Sequence, residues 1–248
     1  MENYKEEVEY YQDILLNKPE GQPGRQYLRK RGITKDTAIY WKLGYSPIGC
    51  TPKCYEDEPF AFWNKLWGRL TIPVRVSTNR DQYETISGRL VEPVPDREKN
   101  PKYDHYVFAA RQVLFGLCEN KGNIFLKNKA VITEGQLDVI TAWQKGVKIV
   151  CSSFGAHAGL GHFTVLNRYT ENIYILYDND DAGNEGSRNA SKIGRENNIN
   201  IKIKHPFPDG VDLDQWMKTH TKEDFYRIID FDKEQYMNDK MKKILKGK

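Results

Sequence analysis

In the stretch "ILYDNDDAG", Asp178, Asp180 and Asp181 fall within four positions, directly after an apolar run. Like charges at the end of a buried strand have two physical explanations. Asp, Asn and Gly are turn formers, so the acids suit a solvated strand-end turn. They equally suit a site for a multivalent cation. Two carboxylates about 4 Å apart repel by roughly 4 kcal/mol at an effective dielectric of about 20, so a converging set needs protonation or a metal. Other acids follow the same placement. Glu134 ends "KAVITEG", Asp138 comes four residues later, and Asp212 and Asp214 lie in "PFPDGVDLDQW". Oxygen ligands without neighbouring His or Cys favour Mg²⁺ or Mn²⁺. Such ions stabilise the attacking and leaving oxygens in phosphoryl and nucleotidyl transfer.

The elements that must position these acids can be read from periodicity. After Gly122, "KAVITEG" is a short apolar strand and "QLDVITAWQKG" a helix closing at Gly146. "VKIVCSSFG", "NIYILYD" and "INIKIKH" read as strands, separated by helices in "GLGHFTVLNRY" and "NEGSRNASKIGREN". Strict alternation of this kind implies βαβ units and a parallel sheet. Open parallel sheets bind ligands beyond the carboxyl ends of their strands. Glu134 and Asp178 occupy two such ends, so Glu134, Asp138, Asp178, Asp180 and Asp212 or Asp214 can meet at one rim. Upstream, "VEYYQDILLN" and "RQYLRKRGITKDTAIYWKLG" are helical, with Thr34 as an N-cap. "GRLTIPVRVS" and "QYETISGRLV" form a strand pair joined by the turn "TNRD".

The 248 residues are 39% hydrophobic and 29% charged, an ordinary soluble composition, and the net charge is only +4. The charge is segregated, however. Arg25 to Lys53 holds seven basic residues and one acid, whereas acids gather from Glu134 to Asp214. A basic surface for a polyanion beside an acidic metal pocket fits this pattern, as do solvated helix faces. Cys50 and Cys54 form a C-x3-C pair with no partner pair at ligand spacing, which favours two unrelated thiols over a zinc site. "GAHAGLG" lacks the Lys-Ser/Thr ending of a phosphate loop. No apolar stretch approaches the ~20 residues of a membrane helix, and the acidic start has no signal-peptide shape. A cytoplasmic protein without membrane contact is expected.

"TEGQLDVITAWQKG" and "YDNDDAGNEGSRNA" resemble the two signatures of a Toprim domain. "YLRKRGITKDTAIYWKLGYSP", "GRLTIPV", "SGRLV", "NPKY", "VLFGL", "SSFG" and "FPDGVDLDQW" are similar, in order, to segments of the RNA polymerase core of bacterial-type primases. The likeness runs roughly from Tyr27 to Trp216. It implies an α/β fold: a Toprim-type parallel sheet flanked by helices, preceded by a mixed α/β basic subdomain and followed by a short helical tail. The expected boundaries are 1–120, 121–216 and 217–248.

The resemblance implies primer synthesis from ribonucleoside triphosphates on single-stranded DNA, in a bacterial cell or phage-infected host, with a replicative helicase as a partner. It casts Glu134, Asp138, Asp178 and Asp180 as catalytic, and Glu134, Asp178, Asp180, Asp212 and Asp214 as the Mg²⁺ or Mn²⁺ set. Arg69, Arg75, Arg89 and Lys102 become the nucleotide- and DNA-binding residues, with Trp63, Trp67 and Tyr103 among them as stacking or core aromatics. The chain departs from the family at Ala110, where a lysine is usual, and at Asp104-His105, where Asn-Ser is common. No cysteine cluster of the family's zinc module precedes Arg25, which suggests a minimal core or a phage or plasmid relative. A Toprim nuclease and a non-catalytic single-strand-binding accessory remain alternatives.

Overall fold

The computed structural model describes residues 4–50, 52, 63–95, 99–106, 108, 110–204, 207–208 and 210–231. Cys54 and the helix expected in "KEQYMNDKMKKIL" lie outside them. The chain opens with α1 (Lys5–Asn17), α2 (Gln22–Arg31) and α3 (Lys35–Tyr40). Gly32, at φ 76°, ends α2 in the left-handed conformation that glycine adopts without strain. Thr34 then caps α3, its hydroxyl accepting from Thr37 N at 3.2 Å.

An antiparallel sheet follows, built from β1 (Gly44–Ser46), β2 (Arg69–Val76), β3 (Asn79–Leu90) and β4 (Tyr103–His105) in that spatial order. The turn between β2 and β3 falls at Ser77-Thr78, slightly before the expected "TNRD". Helix α4 (Leu117–Lys127) leads into the second sheet, which contains β5 (Ala130–Thr133), β6 (Val150–Ser152), β7 (Ile173–Ile175) and β8 (Ile201–Ile203). All its pairings are parallel and its order is β6-β5-β7-β8. The connecting helices are α5 (Gln136–Gln144), α6 (Leu160–Leu166) and α7 (Asp181–Glu196). The short α8 (Leu213–Trp216) and α9 (Lys222–Asp230) complete the described chain.

This order creates a switch point. From β5 the chain steps outward to β6, then returns across the sheet to β7. The crevice between the carboxyl ends of β5 and β7 is where such sheets place ligands. Glu134 follows β5 directly, and Asp178 lies three residues beyond β7.

One hydrophobic core spans both sheets. Its junction is aromatic: Trp41 stacks on Phe115 at 5.0 Å, and Tyr40 stacks on Trp143 of α5 at 4.1 Å. Phe115 also forms a two-bond antiparallel bridge with Ser152 at the edge of β6. Among the described residues, no helix is long and apolar enough to cross a membrane.

Candidate active site

The acids do converge, but each is held differently. Glu134 Oε1 accepts from Asp178 N at 3.0 Å, which ties the end of β5 to the end of β7. Burial, with the Asp178 and Asp180 charges nearby, pushes its pKa up to about 7. Asp178 is raised by burial and then by Asp212 and Asp180, while Lys102 pulls it down. Asp180 is the N-cap of α7 and accepts from Gly183 N at 2.8 Å. The helix therefore starts three residues before the expected Asn184, because the acid itself caps it. Gly183 is sterically required: a Cβ there would sit 2.1 Å from Asp178 O and 3.0 Å from Glu134 Oε1.

Asp138 is buried and uses both carboxylate oxygens on backbone. Oδ2 accepts from Gly135 N and Oδ1 from Asp214 N, each at 3.0 Å. Burial and the charges of Asp212 and Asp178 push it up to about 8, against the pull of those two N–H groups. Asp212 caps α8 through Gln215 N at 2.8 Å. Asp214 is 1% exposed. It takes an ion pair from Arg31 at 2.7 Å, the Thr141 hydroxyl at 2.7 Å, and Lys218 at 3.6 Å. Asp138 and Asp214 thus brace the rim, while Glu134, Asp178, Asp180 and Asp212 carry its open charge.

A basic wall shares the cavity with the acids. Arg31, Ser87, Arg89, Lys102, Tyr103 and His105 line the same cavity as Glu134, Asp138, Asp178, Asp212 and Asp214. The Arg89 guanidinium lies over the Tyr103 ring at 5.1 Å. Gln136 Nε2 donates to Ser87 Oγ at 2.8 Å in the interior, pinning the two walls together. Of the four basic residues expected at this site, the fold brings Arg89 and Lys102 to the cavity. Arg69 and Arg75 are elsewhere. Arg69 is fully buried and donates to the carbonyls of Lys65, Gly88 and Pro101. Its contact with Pro101 steadies the segment that carries Lys102. Arg75 pairs with Glu119 at 2.6 Å and donates to Tyr40 O at 2.9 Å.

Arg31, His105, Ser87 and Gln136 were not anticipated. Ser87 and Arg89 share one face of β3 by the two-residue strand period, a signal that sequence alone contained. Arg31 was one of three adjacent basic residues and could not be singled out. Trp67 is half-buried and donates from Nε1 to Cys50 O at 2.7 Å. Cys50 Sγ lies 2.9 Å from the Tyr10 hydroxyl. His162 is a staple: Nδ1 accepts from Gly159 N, Nε2 bonds Ala110 O, and burial lowers its pKa.

Among the described residues, no three His, Cys, Asp or Glu side chains close into a ligand cage. The donor set still fits a small hard cation. Mg²⁺ is held through one or two carboxylates, with waters and substrate phosphates completing its shell. The carboxyls of Glu134, Asp138 and Asp178 are raised first by burial and then by neighbouring acidic charges, so a cation placed among them would favour their ionised forms.

Residues 131–217 match the family described as Toprim-like. The chain is 25% identical over 258 aligned residues to a DNA primase of Staphylococcus epidermidis, covering 94% of this chain and 42% of the relative. It is 27% identical to a DNA primase of Aquifex aeolicus, covering 89% of this chain and 47% of the relative. It thus spans less than half the length of these curated relatives. A DnaG primase catalytic domain solved with bound single-stranded DNA superposes with a TM-score of 0.75 at 23% identity, covering 90% of this chain and 75% of that one. Residues 131–217 thus match the Toprim-like family, and most of the chain is similar in sequence to bacterial DNA primases.

Proposed function

We propose that this chain is the catalytic core of a primase, joining ribonucleotides into short RNA primers on single-stranded DNA. The observation that carries the reading is one cavity that holds both an acidic rim at a parallel-sheet switch point and a basic wall. The acidic rim is suited to a divalent ion and the basic wall to phosphates. The similarity to primases over most of the chain supports the same reading, as does the single-stranded DNA bound by a structural neighbour. Ribonucleoside triphosphates as substrates and a replicative helicase as partner come with it. Residues 1–120, 121–216 and 217–248 serve in this reading as basic subdomain, Toprim domain and helical extension.

Glu134, Asp178, Asp180 and Asp212 would hold Mg²⁺ or Mn²⁺. When bound, the ion supplies Lewis-acid stabilisation of the triphosphate and the attacking oxygen. The reaction joins a primer 3′-hydroxyl to the α-phosphate and releases pyrophosphate. Lys102 and Arg89 neutralise phosphate charge without reading bases. Arg31, Asp214 and Asp138 form a relay of bonds that keeps α2, α8 and α5 in register. Glu134, at the carboxyl end of β5 within the acidic rim, is the candidate to accept the hydroxyl proton.

Labelled ribonucleotides on a single-stranded template test the reading. New short oligomers from the wild type, and none from Asp178→Ala, are expected. Shortening of the template would replace the primase with a nuclease. Binding that survives chelation, with no product under any metal, would leave a binding accessory.

A further inference from the structure

The turn after β6 is built at a cost that the rim acids do not explain. Phe154 has φ 59°, a conformation that bulky side chains rarely adopt. Hydrogen bonds over-determine it. Phe154 N donates to Ser152 Oγ at 3.1 Å, and Ser152 Oγ donates to Glu134 O at 2.6 Å. Gly155 N donates to Glu134 O at 2.9 Å, and Ser153 Oγ donates to Gly155 O at 2.7 Å. Strain held in place this way collects at ligand sites.

Its effect here is to turn an aromatic ring into the cavity. Phe154 and Gly155 line it beside His105, and Phe154 is only partly buried. Behind it stand two more rings. Phe108 meets Phe154 edge-on at 4.9 Å, and His105 meets Phe108 edge-on at 5.1 Å. Phe154 packs against the core yet is only partly buried, and the part of its ring that lines the cavity is available to a planar guest.

We propose that Phe154, backed by Phe108 and His105, is a stacking ledge for an unpaired nucleobase, registered to the acidic rim through the Glu134 carbonyl. The ligand class rests on the polymerase reading above. The phosphate attached to that base meets Arg89 and Lys102 on the same cavity wall. Stacking of this kind accepts any base, because every base has a π-face. The base can belong to the template strand or to the incoming nucleotide, and the shared chemistry is the flat ring.

Phe154→Gly separates ring from fold, because glycine adopts a positive φ without strain. Circular dichroism and thermal melting check that this variant keeps the fold, since relief of the positive φ is set against loss of the ring's contacts with Phe108 and the core. In one arm, binding of oligothymidylate is compared with an abasic oligomer of equal length. In the other, ATP is compared with tripolyphosphate. The wild type prefers the base-bearing probe in at least one arm, and Phe154→Gly loses that preference by roughly tenfold or more. Loss confined to the DNA arm assigns a template base; loss confined to the ATP arm assigns the incoming nucleotide. Phe108→Leu, which leaves the strained turn intact, gives a smaller loss in the same arm. Equal binding of both probes by the wild type, or an undiminished preference in Phe154→Gly, overturns the ledge. Primer synthesis measured in parallel keeps the two readings apart. Absent synthesis with intact base preference sinks the polymerase alone, and synthesis without base preference sinks the ledge alone.

Discussion

Metal-free protein should lose stability as pH rises from about 4.5 to about 7, and Mg²⁺ should restore it. The cause is Glu134, moved from the usual 4.5 to about 7. In the unfolded chain its carboxyl loses its proton near the ordinary value; in the fold it keeps the proton until about 7. Between those limits the native state binds more protons, so rising pH favours unfolding. A rise of about 2.5 in pKa would correspond to roughly 3 kcal/mol for a fully buried carboxyl; Glu134 is only partly buried, and solvent screening reduces this to roughly 1–2 kcal/mol. For a chain of this size each kcal/mol moves Tm by roughly 2–4 °C, so a fall of about 2–8 °C is expected. Asp138, pushed up to about 8, acts in the same direction and extends the fall further. His105 and His162 act oppositely, since burial lowers their pKa values and their contribution is lost as pH falls. Melting by circular dichroism, at each pH with chelator and with Mg²⁺, isolates the acids. The gap between the two curves widens with pH, and Glu134→Gln flattens the slope in chelator. Parallel slopes for wild type and Glu134→Gln, or no Mg²⁺ gap at high pH, would refute the reasoning.

Arg31→Met leaves the buried Asp214 with only Thr141 and Lys218, and denaturant titration should read a loss of about 2–3 kcal/mol, less than for a fully buried pair because Arg31 is partly exposed. A double-mutant cycle with Asp214→Leu gives the coupling directly. Arg89→Ala should lower the log–log salt slope of single-stranded DNA binding by about one while leaving Tm unchanged. Arg69→Ala should instead lower Tm, since it deprives three carbonyls of their donor. Gly183→Ala drives a Cβ against Asp178 O and should cut the proposed primer synthesis by about 10²-fold, read as initial rate against the wild type.

The parallel sheet was legible because β5, β6 and β7 are uninterrupted apolar runs divided by helices of clear period. The acid rim was legible because a topological rule places strand ends together whatever the side-chain detail. The roles within the rim were not. Asp138 and Asp214 have the same chemistry as Asp178, and only their partners mark them as braces: two backbone N–H groups at Asp138, and Arg31, Thr141 and Lys218 at Asp214. Arg69 and Arg75 lie on β2, and the resemblance to primases cast them as nucleotide- and DNA-binding. Both are turned to protein partners instead: Arg69 to the carbonyls of Lys65, Gly88 and Pro101, and Arg75 to Glu119 of α4 and the Tyr40 carbonyl of α3. His105 was invisible because β4 is only three residues long, too short for a period. Phe154 gave no sign of its positive φ, since neither its type nor its neighbours demand one.

The paired bonds between Phe115 and Ser152, each 3.0 Å, carry one more consequence. They lace the first half of the chain to the margin of the second sheet, one hydroxyl away from Glu134. Local opening of either half must break this seam and the Trp41–Phe115 stack beneath it. Amides of β3 and β5 should therefore exchange with solvent deuterium at one common rate, as a single foldon, despite belonging to different sheets.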